Sequence, residues 1–142
     1  MHRALTRWMG ALALAAGSTL AVAQDADPTT VVNAGLQVAQ LIDAGHADQV
    51  WDGASAVAKK LVARPEFVQS VGASRQPLGA VQSRSWITVA RHDSSGSPQL
   101  PAGSYVNVEY QTSFAGGRTA TELISFRLDD DKTWRVTGYF LR

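Results

Sequence analysis

The sequence has no cysteine. Disulfides, thiolate metal sites, a nucleophilic thiol and a lipid-bearing cysteine are therefore all excluded. It also has little excess charge of either sign, with 13 basic and 12 acidic residues in 142. Apart from Arg3 and Arg7, the basic residues are scattered from Lys59 to Arg142, so the counterion-release drive behind nucleic-acid binding is missing. Neither DNA nor RNA is expected as a partner. Histidine is sparse and dispersed at His2, His46 and His92, which leaves no histidine cluster for a metal. There is no G-x-S-x-G elbow and no glycine-rich phosphate cradle between strand and helix, since Gly116-Gly117 joins two β-rich runs. No cofactor is expected. The one long apolar stretch, residues 8–23, is rich in Ala and Gly and shorter than the roughly 20 strongly apolar residues that a membrane span requires.

That stretch has another reading. Arg3 and Arg7 precede it, and Ala21-Val22-Ala23 closes it with the small residues that signal peptidase accepts. Residues 1–23 are expected to be a signal peptide cleaved after Ala23, which places the mature protein in the periplasm or outside the cell with no membrane span. Cleavage leaves 119 of the 142 residues and 11 basic against 12 acidic side chains. This is one domain of ordinary size, 24–142, large enough to bury a core without covalent staples.

The first half of that domain has helical periodicity. Val31, Ala34, Val38, Leu41 and Ile42 recur at helical spacing from Pro28 or Thr29, with Gly45 at a C-cap position. A second amphipathic segment from about Asp48 places Val50, Ala54, Val57 and Leu61 on one face and ends before Pro65, with Gly53 weakening or kinking it. Pro65 and Glu66 open a short third helix that stops near Gly72. From Ala80 the pattern becomes β-rich, predicting strands over 82–91, 105–114, 119–128 and 134–141. The serine-rich connector 93–103 is the longest loop and is expected to be mobile.

Side-chain parity sets the register. A two-residue hairpin at Gly116-Gly117 would put Val108 opposite Ser125 and mix polar with apolar residues on both faces, which a half-buried sheet does not tolerate. A three-residue loop over 116–118 instead sets Val106, Val108, Tyr110, Thr112 and Phe114 opposite Leu128, Phe126, Ile124, Glu122 and Ala120. In the last strand the same alternation turns Trp134, Val136, Gly138 and Phe140 to the core. The predicted class is α+β, with three helices packed on one face of a curved four-stranded antiparallel sheet. Its layout is similar to the cystatin-like and nuclear-transport-factor-like cones.

Glu122 stands out because its neighbours two positions away, Ala120 and Ile124, point into the core. A carboxylate there needs a cation, and Arg75 and Arg84 are the candidates. The group is either a structural ion pair or a general base in a pocket, with Tyr110 or Tyr139 donating hydrogen bonds. Asp43, His46, Asp48 and Asp52 gather at the first helix junction, but Asp48 suits a helix N-terminus and His46 a solvated loop, so no metal is expected there. Asp129-Asp130-Asp131 lacks the ligand alternation of a calcium loop and reads as a charged hairpin tip.

Arg75-Gln76-Pro77-Leu78-Gly79, Leu100-Pro101, Gly103-Ser104-Tyr105, Thr112-Ser113-Phe114-Ala115, Glu122 and Trp134-Arg135-Val136-Thr137-Gly138-Tyr139-Phe140 form a recognisable set. On these residues the mature chain resembles the small exported bacterial proteins grouped as the domain of unknown function 4019, from the Asp43-Ala44-Gly45 and Trp51 region to the C-terminus. The resemblance implies a bacterial periplasmic setting and the helices-then-sheet order, and it transfers no catalytic residue. The leading expectation is a non-catalytic domain that binds a protein partner or a small ligand. The alternatives are a pocket enzyme using Glu122 for proton transfer and an envelope scaffold associating through its edge strands.

Overall fold

The computed structural model describes residues 27–142, so the expected signal peptide and its cleavage point lie outside the described residues. Helix α1 spans Pro28–Asp43. Asp27 caps it by accepting the Thr29 N–H at 2.8 Å, Pro28 fits the first turn, and Val31, Gly35, Ala39 and Ile42 form its buried stripe. The chain leaves α1 through Gly45, whose φ of 80° is the left-handed conformation a helix-ending glycine supplies.

The sequence pattern predicts one amphipathic segment from about Asp48 that ends before Pro65 and is weakened or kinked at Gly53; the chain breaks it into two helices, α2 at Ala47–Asp52, capped by Gly53, and α3 at Ala56–Leu61. The break is built around Ser55. Its Oγ accepts the Val57 N–H at 3.3 Å to cap α3 and donates to Asp129 Oδ1 at 2.6 Å. Its own N–H goes to the Val136 carbonyl at 2.9 Å. A residue whose backbone donor is spent on a strand cannot also donate within a helix, so the helical run is interrupted there. Helix α4 starts at Arg64–Pro65 but passes the predicted stop at Gly72 and ends at Arg75, with Val71 buried. Among the described residues, four α-helices thus stand where three helices were expected. Among the described residues, no helix is long and apolar enough to cross a membrane.

Strands β1 (Val81–Ser94), β2 (Gly103–Phe114), β3 (Arg118–Leu128) and β4 (Trp134–Leu141) form an open antiparallel meander in the order 1-2-3-4. The α+β class and the helices-then-sheet order are as expected. The connector is shorter than predicted, residues 95–102, and is closed by bonds from the Ser97 N–H to the Leu100 carbonyl (2.8 Å) and from the Leu100 N–H to Ser97 Oγ (3.0 Å).

The inward set Val106, Val108, Tyr110, Thr112 and Phe114 is buried, as parity requires. The β2–β3 pairing nevertheless differs from the prediction by two residues, with Val108 opposite Ile124 and Tyr110 opposite Glu122. The cause is the loop, which is residues 115–117 rather than 116–118. Gly116 and Gly117 both take positive φ, 76° and 75°, and Arg118 rejoins the ladder opposite Phe114. A two-residue slip keeps every side chain on its face, so alternation alone cannot distinguish the two registers.

In β4 the expected parity holds only through Val136. The β3–β4 pairing shifts between Phe126–Val136 and Ser125–Gly138, which leaves Thr137 as an extra residue and reverses the faces after it. Tyr139 is therefore buried, while Phe140, predicted to face the core, is 57% exposed. The Phe140 ring lies back over Gly138, where a Cβ would meet it at 2.7 Å.

Helix α1 approaches the sheet closely at Gly35. A Cβ there would sit 2.4 Å from the Tyr110 hydroxyl and 2.6 Å from Val108 Cγ1. The space left by the missing side chain lets Tyr110 donate to the Val32 carbonyl at 2.5 Å.

Candidate functional site

Two places could carry chemistry, and they share Tyr139. The first is an ionic cluster under the helix ends. Glu122 points inward from β3 and is 0% exposed. Its Oε1 accepts from Arg84 Nε at 2.6 Å and Thr112 Oγ1 at 2.5 Å, and its Oε2 accepts from the Tyr139 hydroxyl at 2.5 Å. Arg84, on edge strand β1, also reaches Asp43 at the end of α1 through Nη1 (2.9 Å) and Nη2 (3.0 Å). Arg75, in the last turn of α4, donates to Asp43 at 2.8 Å and lies 3.8 Å from Glu122 Oε2. It also stacks on the Phe114 ring at 5.1 Å.

Two carboxylates and two guanidinium groups balance in charge. This matters because an unpaired buried charge costs several kcal/mol. Asp43 occupies the C-terminal end of α1, where the helix dipole disfavours an anion. Burial pushes its pKa up, but the hydrogen bonds from Arg84 and Arg75 outweigh that and hold it below its ordinary 3.8. Burial likewise opposes the Arg84 charge, and the bonds to Asp43 and Glu122 overcome it and raise that pKa. Burial, and then the hydrogen bond to Glu122, raise the Tyr139 phenol above its usual 10.0.

Of the residues singled out from the sequence, Glu122, Arg84, Arg75 and Tyr139 come together here. Tyr110 does not join them. Its hydroxyl goes to Val32, and burial raises its pKa to about 12. Asp43 was a candidate only for the metal group at the helix junction, yet it is the anion that bridges both arginines. The rest of that group disperses, with Asp48 and Asp52 both facing Arg64 at 3.5 and 2.9 Å. Among the described residues, no three or more His, Asp or Glu converge as metal ligands. At the β3–β4 tip, Asp129 ties Ser55 (2.6 Å), Arg127 (3.1 Å) and Arg135 (3.0 Å) together.

The second place is a cleft of about 220 Å³ between helices α2–α4 and β4, walled by Val50, Trp51, Phe67, Val71, Tyr139 and Phe140. The Trp51 ring is fixed by its Nε1 donating to the Val62 carbonyl at 2.9 Å, with Lys59 Nζ 5.1 Å from the ring centre. Glu66 and Ser70 on α4 border the opening. Sequence patterning reads Glu66 only as a helix-start charge. The cleft exists because α2 and α3 separate at Ser55 and β4 bulges at Thr137, and neither event has a period in the sequence.

The family model described as "Protein of unknown function (DUF4019)" matches residues 34–139, a span that takes in the ionic cluster and the named walls of the cleft except Phe140. No curated protein matches the chain.

Proposed function

The chain belongs to the DUF4019 family of proteins of unknown function, and we propose that it is an exported, periplasmic, non-catalytic domain that holds a small apolar ligand in the cleft between α2–α4 and β4. The cleft itself carries this reading. It is concave, mostly apolar and walled by Trp51, Phe67, Tyr139 and Phe140, with few polar groups at its rim, which is the usual make-up of a small-molecule site. Its 220 Å³ exceeds the roughly 150 Å³ of an apolar cavity that accepts benzene.

The competing proton-transfer reading requires access to the Glu122 carboxylate. That group is 0% exposed and both its oxygens accept hydrogen bonds from protein donors, so no substrate atom reaches it without displacing Arg84, Thr112 or Tyr139. The basic start and apolar run of residues 1–23 support export.

The test uses the full chain expressed in a bacterium and recovered from the periplasm, where its N-terminus is expected at Gln24. Toluene, indole and naphthalene are then titrated while the melting temperature is followed. A probe at 100 times its Kd stabilises the native state by about 2.7 kcal/mol. At least one probe is expected to raise the melting temperature of the wild type, and Ala54→Leu, which fills the cleft wall, to abolish the rise. No shift with any probe overturns the ligand reading, and an intact Met1 overturns export.

A further inference from the structure

The cleft has an unusual balance of aromatic wall and charge. Four aromatic rings, Trp51, Phe67, Tyr139 and Phe140, line it, and only two ionisable side chains do, Tyr139 and Glu66. The Tyr139 hydroxyl is turned away and given to Glu122. The Trp51 N–H is spent on the Val62 carbonyl. Glu66 is thus the one charged side chain of the lining, and it is exposed.

The neighbouring cations are committed elsewhere. Arg64 is paired with Asp52 and Asp48. Lys59 donates to the Asp52 carbonyl at 2.6 Å and covers Trp51. Among the described residues, no hydrogen bond or ion pair engages the Glu66 carboxylate. Glu66 does have a structural use, since an anion in the first turn of α4 is favoured by the helix dipole. That use accounts for a negative charge on the first turn, but not for the aromatic cleft beside it.

We propose that the ligand is an organic ammonium ion whose apolar body fills the cleft and whose charged end lies between the aromatic rings and the Glu66 carboxylate. This identifies the chemical class of the ligand in the reading above and rests on it. Ring faces attract a cation within about 6 Å of their centres, and the free carboxylate supplies the counter-charge. A ligand carboxylate in the same place would be repelled by Glu66, and no cation lines the cleft among the described residues, Lys59 lying over the Trp51 ring with its ammonium bonded to the Asp52 carbonyl. The volume of about 220 Å³ admits one aromatic ring with a short amine-bearing arm, a somewhat larger body than benzene.

Three probes of matched size separate the possibilities: 2-phenylethylammonium, neutral 2-phenylethanol and anionic 3-phenylpropionate, each titrated by calorimetry at pH 7 and low salt. The cation is expected to bind the processed wild-type chain about fivefold or more tightly than the alcohol, with the anion weakest. Glu66→Gln should weaken the cation about fivefold and leave the alcohol within twofold. Glu66→Lys should reverse the order and favour the anion, which also shows that the variant protein is folded. If the alcohol binds as well as the cation and Glu66→Gln changes neither, the ammonium assignment is wrong and the cleft reading survives. If none of the three binds, and the uncharged probes above also fail, both are wrong.

Discussion

The ionic cluster and the aromatic cleft lie on either side of Tyr139, and the same residue contributes its hydroxyl to one and its ring to the other. In the cluster the charged groups answer one another: Glu122 and Asp43 against Arg84 and Arg75, with Thr112 and Tyr139 filling the remaining acceptor positions. In the cleft the walls are apolar and, among the described residues, the one carboxylate of the lining, Glu66, has no hydrogen-bond or ion-pair partner. A network of paired and largely buried charges holds geometry, because removing one member leaves another charge unpaired in low dielectric. An open apolar hollow with one free charge instead has something left to give to a ligand. The cluster also connects the end of α1, the end of α4 and strands β1 to β4.

The largest expected effect comes from neutralising the cluster. Glu122→Gln keeps the shape of the side chain but leaves two arginines, with side chains only 7% and 12% exposed, against Asp43 alone. Removing one partner of a buried pair costs roughly 3 to 5 kcal/mol. At about 4 °C per kcal/mol for a domain of this size, thermal unfolding should show a loss of roughly 12 °C or more. Probe affinity in the cleft, measured below that transition, should stay within about twofold of wild type. A Glu122→Gln protein that melts with the wild type would dissolve the distinction between the two regions.

Residue alternation made the inward position of Glu122 readable, because the β2 and β3 faces follow period two without interruption. Arg84 was readable only as a nearby cation that such a carboxylate needs, because the sequence pattern assigns no face to the first strand. Asp43 was not, since near His46 and Asp48 it looks like one more polar residue at a helix junction, and only folding carries it to the arginines. Tyr139 was named as a donor, yet alternation in β4 pointed it outward, and the bulge at Thr137 is what turns it in. Tyr110 points inward as its parity demands, but Gly35 lets its hydroxyl reach a helix carbonyl first. Three separate elements, α2, α4 and β4, supply the cleft residues Val50, Trp51, Phe67 and Phe140. No local pattern could assemble them.

Tyr139→Phe cuts through the boundary between the regions. The variant keeps the ring that walls the cleft and deletes the donor to Glu122 Oε2, which then has Arg75 Nη1 at 3.8 Å. A hydrogen bond to a charged group contributes about 1.5 to 3 kcal/mol, so urea unfolding should show a loss of about 2 kcal/mol with probe binding unchanged. The deficit should also depend on pH. In the folded protein the Tyr139 pKa lies above its ordinary 10.0, so its contribution is complete below pH 10 and declines as pH rises through the folded value. The wild type should therefore approach the variant in strong alkali. Loss of probe binding in Tyr139→Phe would mean that the cleft depends on the cluster hydrogen bond.

The smallest effect is expected at the exposed margin of the cluster. The Asp43 side chain is 26% exposed, so solvent screens its pairs with Arg84 and Arg75, and Asp43→Asn should cost only about 1 kcal/mol at neutral pH. Its acid dependence identifies the charge as the cause. Asp43 has a folded-state pKa below its ordinary 3.8, so its contribution is fully present above that value and is lost as pH falls through the folded one. The stability gap between wild type and Asp43→Asn should hold constant above about pH 5, narrow below pH 4 and close once the carboxyl is protonated in both states. A gap that survives there would make Asp43 a packing residue and leave Glu122 as the sole anion that matters to the two arginines.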